Sequence, residues 1–241
     1  MKRKLIIIFI WLLLWQGLSL LINNPVLFVG PWETAKALVE MLGKGDFYSS
    51  LLRTLLRLLL GILAGTGSGF LFAYAAYRKR LLRDFLAPVV SLGKAIPVAS
   101  FVILILIWFG NEWVAMVVVF LVTFPIAYLN LQKGLDSLDP SMTEMSTVFR
   151  FTGPRRFHYV ELPQLRSHIG AAVALTIGMG FKSGIAAEVI GQARLTIGNE
   201  LYQSKIYLET AELFAWTAMV ILLSWVVEKL VTLGLKRLKV V

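Results

Sequence analysis

The 241 residues include no cysteine and only two histidines, and acidic side chains are scarce, 14 against 24 Lys and Arg. Without cysteine there is no disulfide, no thiolate nucleophile and no Cys-ligated metal. His158 and His168 flank Leu162-Pro163 at a separation that metal-binding patterns do not use, so both read as polar groups at a surface. A phosphate-binding loop ending in Gly-Lys-Ser/Thr is also missing. The stretches "LGKGDF" and "LGKAIP" lack its upstream spacing and its hydroxyl residue, so this chain alone is not expected to hydrolyse ATP. With no visible set of nucleophile, base and orienting group, an enzyme is a weak reading.

What the chain has is apolar length. It is 58% hydrophobic and 16% charged, with a net charge of +10, too apolar for an ordinary soluble domain. The cations fall in short runs beside apolar segments, as membrane anchors do, which argues against nucleic acid as a partner. Runs of about 17 to 25 apolar residues suffice to cross a bilayer as helices. Six emerge: Leu5 to Ile22, Leu55 to Tyr77, Pro88 to Phe109, Trp113 to Leu131, Ser167 to Val189 and Leu213 to Leu233. The first follows a charged start, yet it is long enough to span and has no small-x-small cleavage site after it, so it reads as a retained span.

Charge asymmetry orients these spans. "MKRK", "YRKRLLRD", the loop carrying Arg150, Arg155 and Arg156, and the tail "LKRLK" all fall on one side, which the positive-inside rule makes cytoplasmic, with both termini inside. Arg53 and Arg57 sit awkwardly on the other side, in an interfacial helix or at the start of the second span, where snorkelling tolerates either. Also outside, Trp32, Ala35, Leu38, Val39 and Leu42 recur at helical spacing and predict a short helix lying on the membrane or on other spans. Thr196 to Leu208 predicts another. Within the spans, Gly61, Gly65 and Gly69, and again Gly180 and Gly184, repeat every four residues, which lets helix backbones approach closely. No soluble domain or internal repeat is visible, so residues 1–241 form one membrane domain.

Two ionisable residues lie inside the fifth span. Lys182 is near its middle and costs about 3 kcal/mol there on insertion scales, so it needs a partner or a wet cavity. Glu188 is near the outer end, on a different face. Both are candidates for lining a translocation path; the alternative use of the pair is as the substrate or proton site of a self-sufficient secondary transporter or channel.

One polar stretch interrupts the apolar chain: "LDPSMTEMSTVFRFTGPRRFHYVELP". Asp139 suits an N-cap and Pro140 a first helical turn. Gly153-Pro154 suits a left-handed exit followed by a new helix, and Pro163 an end to that second piece. The first helix then presents Met142, Met145, Val148 and Phe149 along roughly one side, an apolar stripe of the kind that docks into a partner.

These residues carry a resemblance. Glu144-Met145-Ser146 followed by Val160-Glu161-Leu162-Pro163 resembles the EAA loop of bacterial ABC-importer permeases (Glu-Ala-Ala, three residues, Gly, nine residues, Ile-x-Leu-Pro), with Arg150 at the glycine position. "SLGKAIPVASFVILILIWFG" and "AAEVIG" resemble elements of the nitrate/sulfonate/taurine permease family, and the similarity runs from about Leu51 to Lys229. The resemblance implies an all-α, multi-pass fold of the type I importer class, in a bacterial inner membrane. It implies a second permease copy, two ABC ATPase subunits that use ATP in this chain's stead, and an extracytoplasmic binding protein. Glu144, Met145, Val148, Phe149, Arg150 and Gly153 would then contact the ATPase, with Leu162 and Pro163 closing the motif. Arg150 would make a salt bridge to that partner. No cofactor or metal is implied for the chain itself.

Overall fold

The computed structural model describes residues 2–95 and 97–237, and every regular element among them is helical. Hydrocarbon offers the backbone no water, so apolar segments satisfy their own N–H and C=O groups as helices. In chain order these are α1 (Lys2–Ile22), α2 (Pro31–Leu42), α3 (Gly45–Arg78), α4 (Arg80–Ala95), α5 (Val98–Phe109), α6 (Asn111–Asp136), α7 (Pro140–Val148), α8 (Gly153–Arg156), α9 (Leu162–Gly191), α10 (Ile197–Ile206) and α11 (Thr210–Arg237). A π-helical turn, Phe157–Glu161, joins α8 to α9, so residues 153–191 form one rod.

Five helices are long and apolar enough to cross a membrane, or six if α4 and α5 count as one broken span. The third expected span, Pro88 to Phe109, is therefore corrected. Its two halves meet at 102°, because Pro97 caps α5 and cannot donate the N–H a continuous helix would need. Ile96 in the "AIP" stretch, and Leu238 and Lys239 in the basic tail, lie outside the described residues. The second span starts earlier than expected: α3 is helical from Gly45, which places Arg57 inside it and paired with Glu112 at the start of α6.

The centre of the bundle is α6 held between α3 and α9. Gly61, Gly65 and Gly69 line the α3 face that meets α6, and the approach permits nothing larger. A methyl group at Gly65 would lie 2.0 Å from Thr123 Oγ1 and 2.8 Å from the Phe120 carbonyl. On α9, a methyl at Gly184 would meet Leu58 of α3 at 2.0 Å. The four-residue spacing thus does what the sequence predicts, and Leu58, Ile62, Val118, Val119, Ile177 and Phe181 fill the core around it.

The two peripheral helices form where expected, as α2 and α10. On α2, however, the buried face is Thr34, Ala37 and Met41, while Trp32, Val39 and Leu42 point outward. Of the stripe read from sequence, Leu38 packs against the core, while Trp32, Val39 and Leu42 are left outward, as suits a helix lying on the membrane. Beyond its basic start the helix α1 is mostly apolar and exposed as far as Leu14, and it is anchored by Trp15 Nε1 donating to the Val29 carbonyl at 2.9 Å and by the Trp15 ring tilted against Phe214 at 6.0 Å.

Candidate coupling loop and translocation face

Between α6 and the α8–α9 rod the chain leaves the bundle. Asp139 caps α7 by accepting from the Ser141 amide and hydroxyl, both at 2.8 Å, and these donors hold its carboxyl below the ordinary carboxylate range. Its own amide donates to Gln164 Oε1 at 2.9 Å, tying the start of the loop to α9. Along α7 and its cap the side chains of Met142, Met145, Val148 and Phe149 are exposed, the last two at 78% and 66%, whereas Ser146, flanking Met142 one turn on, is buried. Glu144 is exposed beside them.

The end of α7 differs from the expectation at one residue. The left-handed exit falls on Arg150, with φ of 51°, and not on Gly153. The Arg150 amide donates to the Thr147 carbonyl and the Phe151 amide to the Ser146 carbonyl, at 3.0 and 2.9 Å, the pair of bonds that defines a Schellman ending. Glycine is the usual residue at such a position because it has no Cβ to clash. Gly153, by contrast, opens α8 with Pro154 behind it, as a first turn accepts.

Pro163 does not end the helix, which corrects a second expectation. It falls in the first turn of α9, directly after the π-turn, where the Leu162 amide donates to the Phe157 carbonyl five residues back. The wider turn accommodates a ring that would otherwise strike the preceding carbonyl. Leu162 is half-buried and Pro163 exposed.

At this turn lies a residue whose role the sequence did not announce. Glu161 is wholly buried and accepts from Tyr74 Oη, Arg78 Nη2 and Arg156 Nε, each at 3.0 Å. Tyr74 and Arg78 belong to the last turns of α3, so one carboxylate joins α3, α8 and α9 beneath the loop. The signal was an acidic residue set between Val160 and Leu162 in a loop of cations, with Arg78 of "YRKR" at the end of α3 as its distant partner. Arg83 adds a second tie on the same end, a bidentate pair to Asp136 at 3.0 and 2.7 Å that fixes α4 to α6.

Lys182 and Glu188 do not come together. Glu188 is wholly buried, accepting from Thr54 Oγ1 at 2.8 Å and from the Gly198 amide at 3.2 Å, and it bolts α3, α9 and the start of α10 to one another. Gly198 is obligatory here, since a methyl would lie 2.2 Å from Glu188 Cβ. Lys182 is exposed, in a groove between α9 and α11 shared with Phe181, Trp225 and Glu228. The secondary-transporter alternative, which needs both residues at one site, loses its support. Among the described residues, no cluster of His, Asp and Glu could hold a metal ion.

Residues 57–239 match the family described as "Binding-protein-dependent transport system inner membrane component". The chain belongs to this family. It is a multi-pass inner-membrane permease of the ABC-importer type, a transporter subunit and not an enzyme, and the family implies an ATPase and a binding protein as partners. It is similar to SsuC of Bacillus subtilis (strain 168), named for aliphatic sulfonates transport, at 23% identity over 73% of this chain and 64% of that one. TauC of Escherichia coli (strain K12), the taurine transport system permease protein, is 22% identical over 93% of this chain and 82% of its own length. Two solved structures share the fold. An amino acid ABC transporter with histidines superposes with a TM-score of 0.63 at 22% identity, covering 80% of this chain and 94% of that one. A bacterial ABC transporter involved in import of alginate gives 0.60 at 15% identity, covering 98% and 93%.

Proposed function

We propose that this permease works as one of a pair, that α7 is its docking helix, and that Met142, Met145, Val148 and Phe149 insert into an ATPase subunit on the cytoplasmic side. The observation that carries this reading is the exposed apolar stripe on a helix held away from the bundle yet tied to it at Asp139 and Glu161. Isolated apolar residues are common on surfaces; four aligned on one short helix mark a contact. Two ATPase subunits, closing on ATP, would draw two such loops together, and the rod of residues 153–191 would carry that movement into the membrane. Both termini then lie in the cytoplasm, as the basic segments favour.

The substrate class follows from two supports of different weight. The relatives named for sulfonates and taurine favour a small organic anion delivered by a binding protein. Lys182, exposed on a spanning helix, is the residue of this chain suited to meet such an anion. Glu188 belongs to the packing of the helix ends.

The deciding experiment uses the complex assembled from this chain, its ATPase and its binding protein in vesicles. With Phe149→Asp, ATPase activity should no longer respond to loaded binding protein and uptake should fall by about tenfold or more, as removal of a central interface anchor does. Unchanged coupling would remove α7 from the ATPase interface.

A further inference from the structure

The spanning helices α3 and α9 touch at Gly180 and Gly184 but part toward the end that bears the coupling loop. Between them lies a cavity of about 760 Å³, floored by Leu131 of α6 and walled by Phe70 and Leu71 of α3 and by Leu165 and Ile169 of α9. Its deep part is apolar and its end is not. Tyr74 and Arg78 close it at the membrane boundary, next to Gly153 and Pro154 of α8. Arg78 keeps 39% of its side chain accessible while bonded to Glu161, Arg156 keeps 22%, and Arg155 is exposed. Arg78 and Arg156 together bond the one buried carboxylate, and Arg155, next in sequence to the cavity-lining Pro154, adds a third cation, so this end carries a net positive charge.

We propose that this groove binds one anionic phospholipid, with an acyl chain between α3 and α9 and the phosphate beside Arg78 and Arg155. A groove open between two membrane-spanning helices meets lipid tails as its surroundings. Its apolar walls offer a tail the same contacts that bulk lipid does, so the tail alone earns no preference; the cationic end supplies it. Each Lys or Arg near the surface favours an anionic headgroup by a few-fold, so two together give about tenfold over a zwitterionic one of equal chain length. Tyr74 adds a hydroxyl at the depth where aromatic and polar groups of membrane proteins sit. A lipid so placed would rest on the π-turn and on Arg78, the joint between the coupling loop and α3. The leaflet, cytoplasmic, rests on the orientation proposed above; the headgroup preference does not.

The test is native mass spectrometry of the whole importer complex exchanged into phosphatidylglycerol or phosphatidylcholine with identical chains. The wild type should retain one phosphatidylglycerol per copy of this chain and about tenfold less phosphatidylcholine. Leu71→Trp, at an exposed position on the groove wall, should remove the retained lipid while the complex still assembles. Arg155→Gln, which leaves the Glu161 bonds intact, should cut phosphatidylglycerol retention severalfold toward the phosphatidylcholine value. Equal retention of both lipids by the wild type, or undiminished phosphatidylglycerol in Leu71→Trp, overturns the proposal. So does efficient crosslinking between two copies through Leu71→Cys, a unique thiol in this chain, because a second copy would then cover the groove. Labelling of Lys79→Cys by a membrane-impermeant maleimide in intact cells would reverse the leaflet and leave the headgroup preference standing.

Discussion

The Arg150 backbone turns through a conformation that suits glycine, and it does so at the position where the family motif has glycine. A side chain in the left-handed region costs about 1–2 kcal/mol. Arg150→Gly should therefore raise the thermal stability of the purified chain by a few degrees, the shift expected of about 1 kcal/mol in a chain of this size. If the guanidinium pairs with the ATPase, the same change should lower coupled uptake, while Arg150→Lys preserves it. A gain in both stability and uptake would mean the cation has no partner. Lys182 offers the same kind of separation within the membrane. Lys182→Met removes a charge that costs about 3 kcal/mol at mid-membrane, so membrane insertion and yield should improve or hold. Uptake of an anionic substrate should fall by about tenfold or more, the loss expected when an anion gives up a charged hydrogen-bond partner. Undiminished uptake would take Lys182 off the path and leave the groove beside Glu228 as a place where its amine finds polar company.

Helices rather than residues decide how the loop reaches the bundle, and Glu161 is where three of them meet. Both of its arginine partners keep some access to solvent, so replacing the carboxylate strands no fully buried charge, and the loss should be about 1–3 kcal/mol. Glu161→Gln keeps the shape and halves the acceptor capacity. The expected result is a complex that assembles and hydrolyses ATP but transports less per ATP, measured as the ratio of uptake to phosphate release in vesicles. An unaltered ratio, with or without lower stability, would make the network a packing feature alone. The same scale shows what was legible in the sequence. Apolar length and the spacing of Gly61, Gly65 and Gly69 disclose the spans and their close contact, because both are local properties. The face chosen by α2 depends on which neighbour is present, and local periodicity does not carry that; the break at Pro97 is local, but the apolar run that continues past it reads as one span. Pro163 read as a stop for the same reason: the π-turn that accommodates it is a cooperative property of five residues.

At the scale of the whole chain, the motif around α7 was readable because its residues are close in sequence, whereas the Glu161 site joins residues about eighty positions apart and the bolt at Glu188 joins Thr54 to Gly198. What remains is the direction in which the molecule stands. The loop end carries the dense cations Arg78, Lys79, Arg80, Arg83, Arg150, Arg155 and Arg156. The other end mixes Lys44 with Glu212 at 2.8 Å and Arg57 with Glu112, pairs that cancel one another's charge. The positive-inside rule counts Lys and Arg beside the span ends whatever carboxylates lie next to them, so the orientation proposed here puts the denser loop end in the cytoplasm. The absence of cysteine gives a clean measurement. Single thiols at Met142 and at Lys36, both on exposed helix surfaces, should respond in opposite ways to an impermeant maleimide applied to intact cells: Lys36→Cys labels at once, and Met142→Cys only after permeabilisation. Early labelling of Met142→Cys would put α7 beyond the reach of any cytoplasmic ATPase, and the coupling role would fall with it.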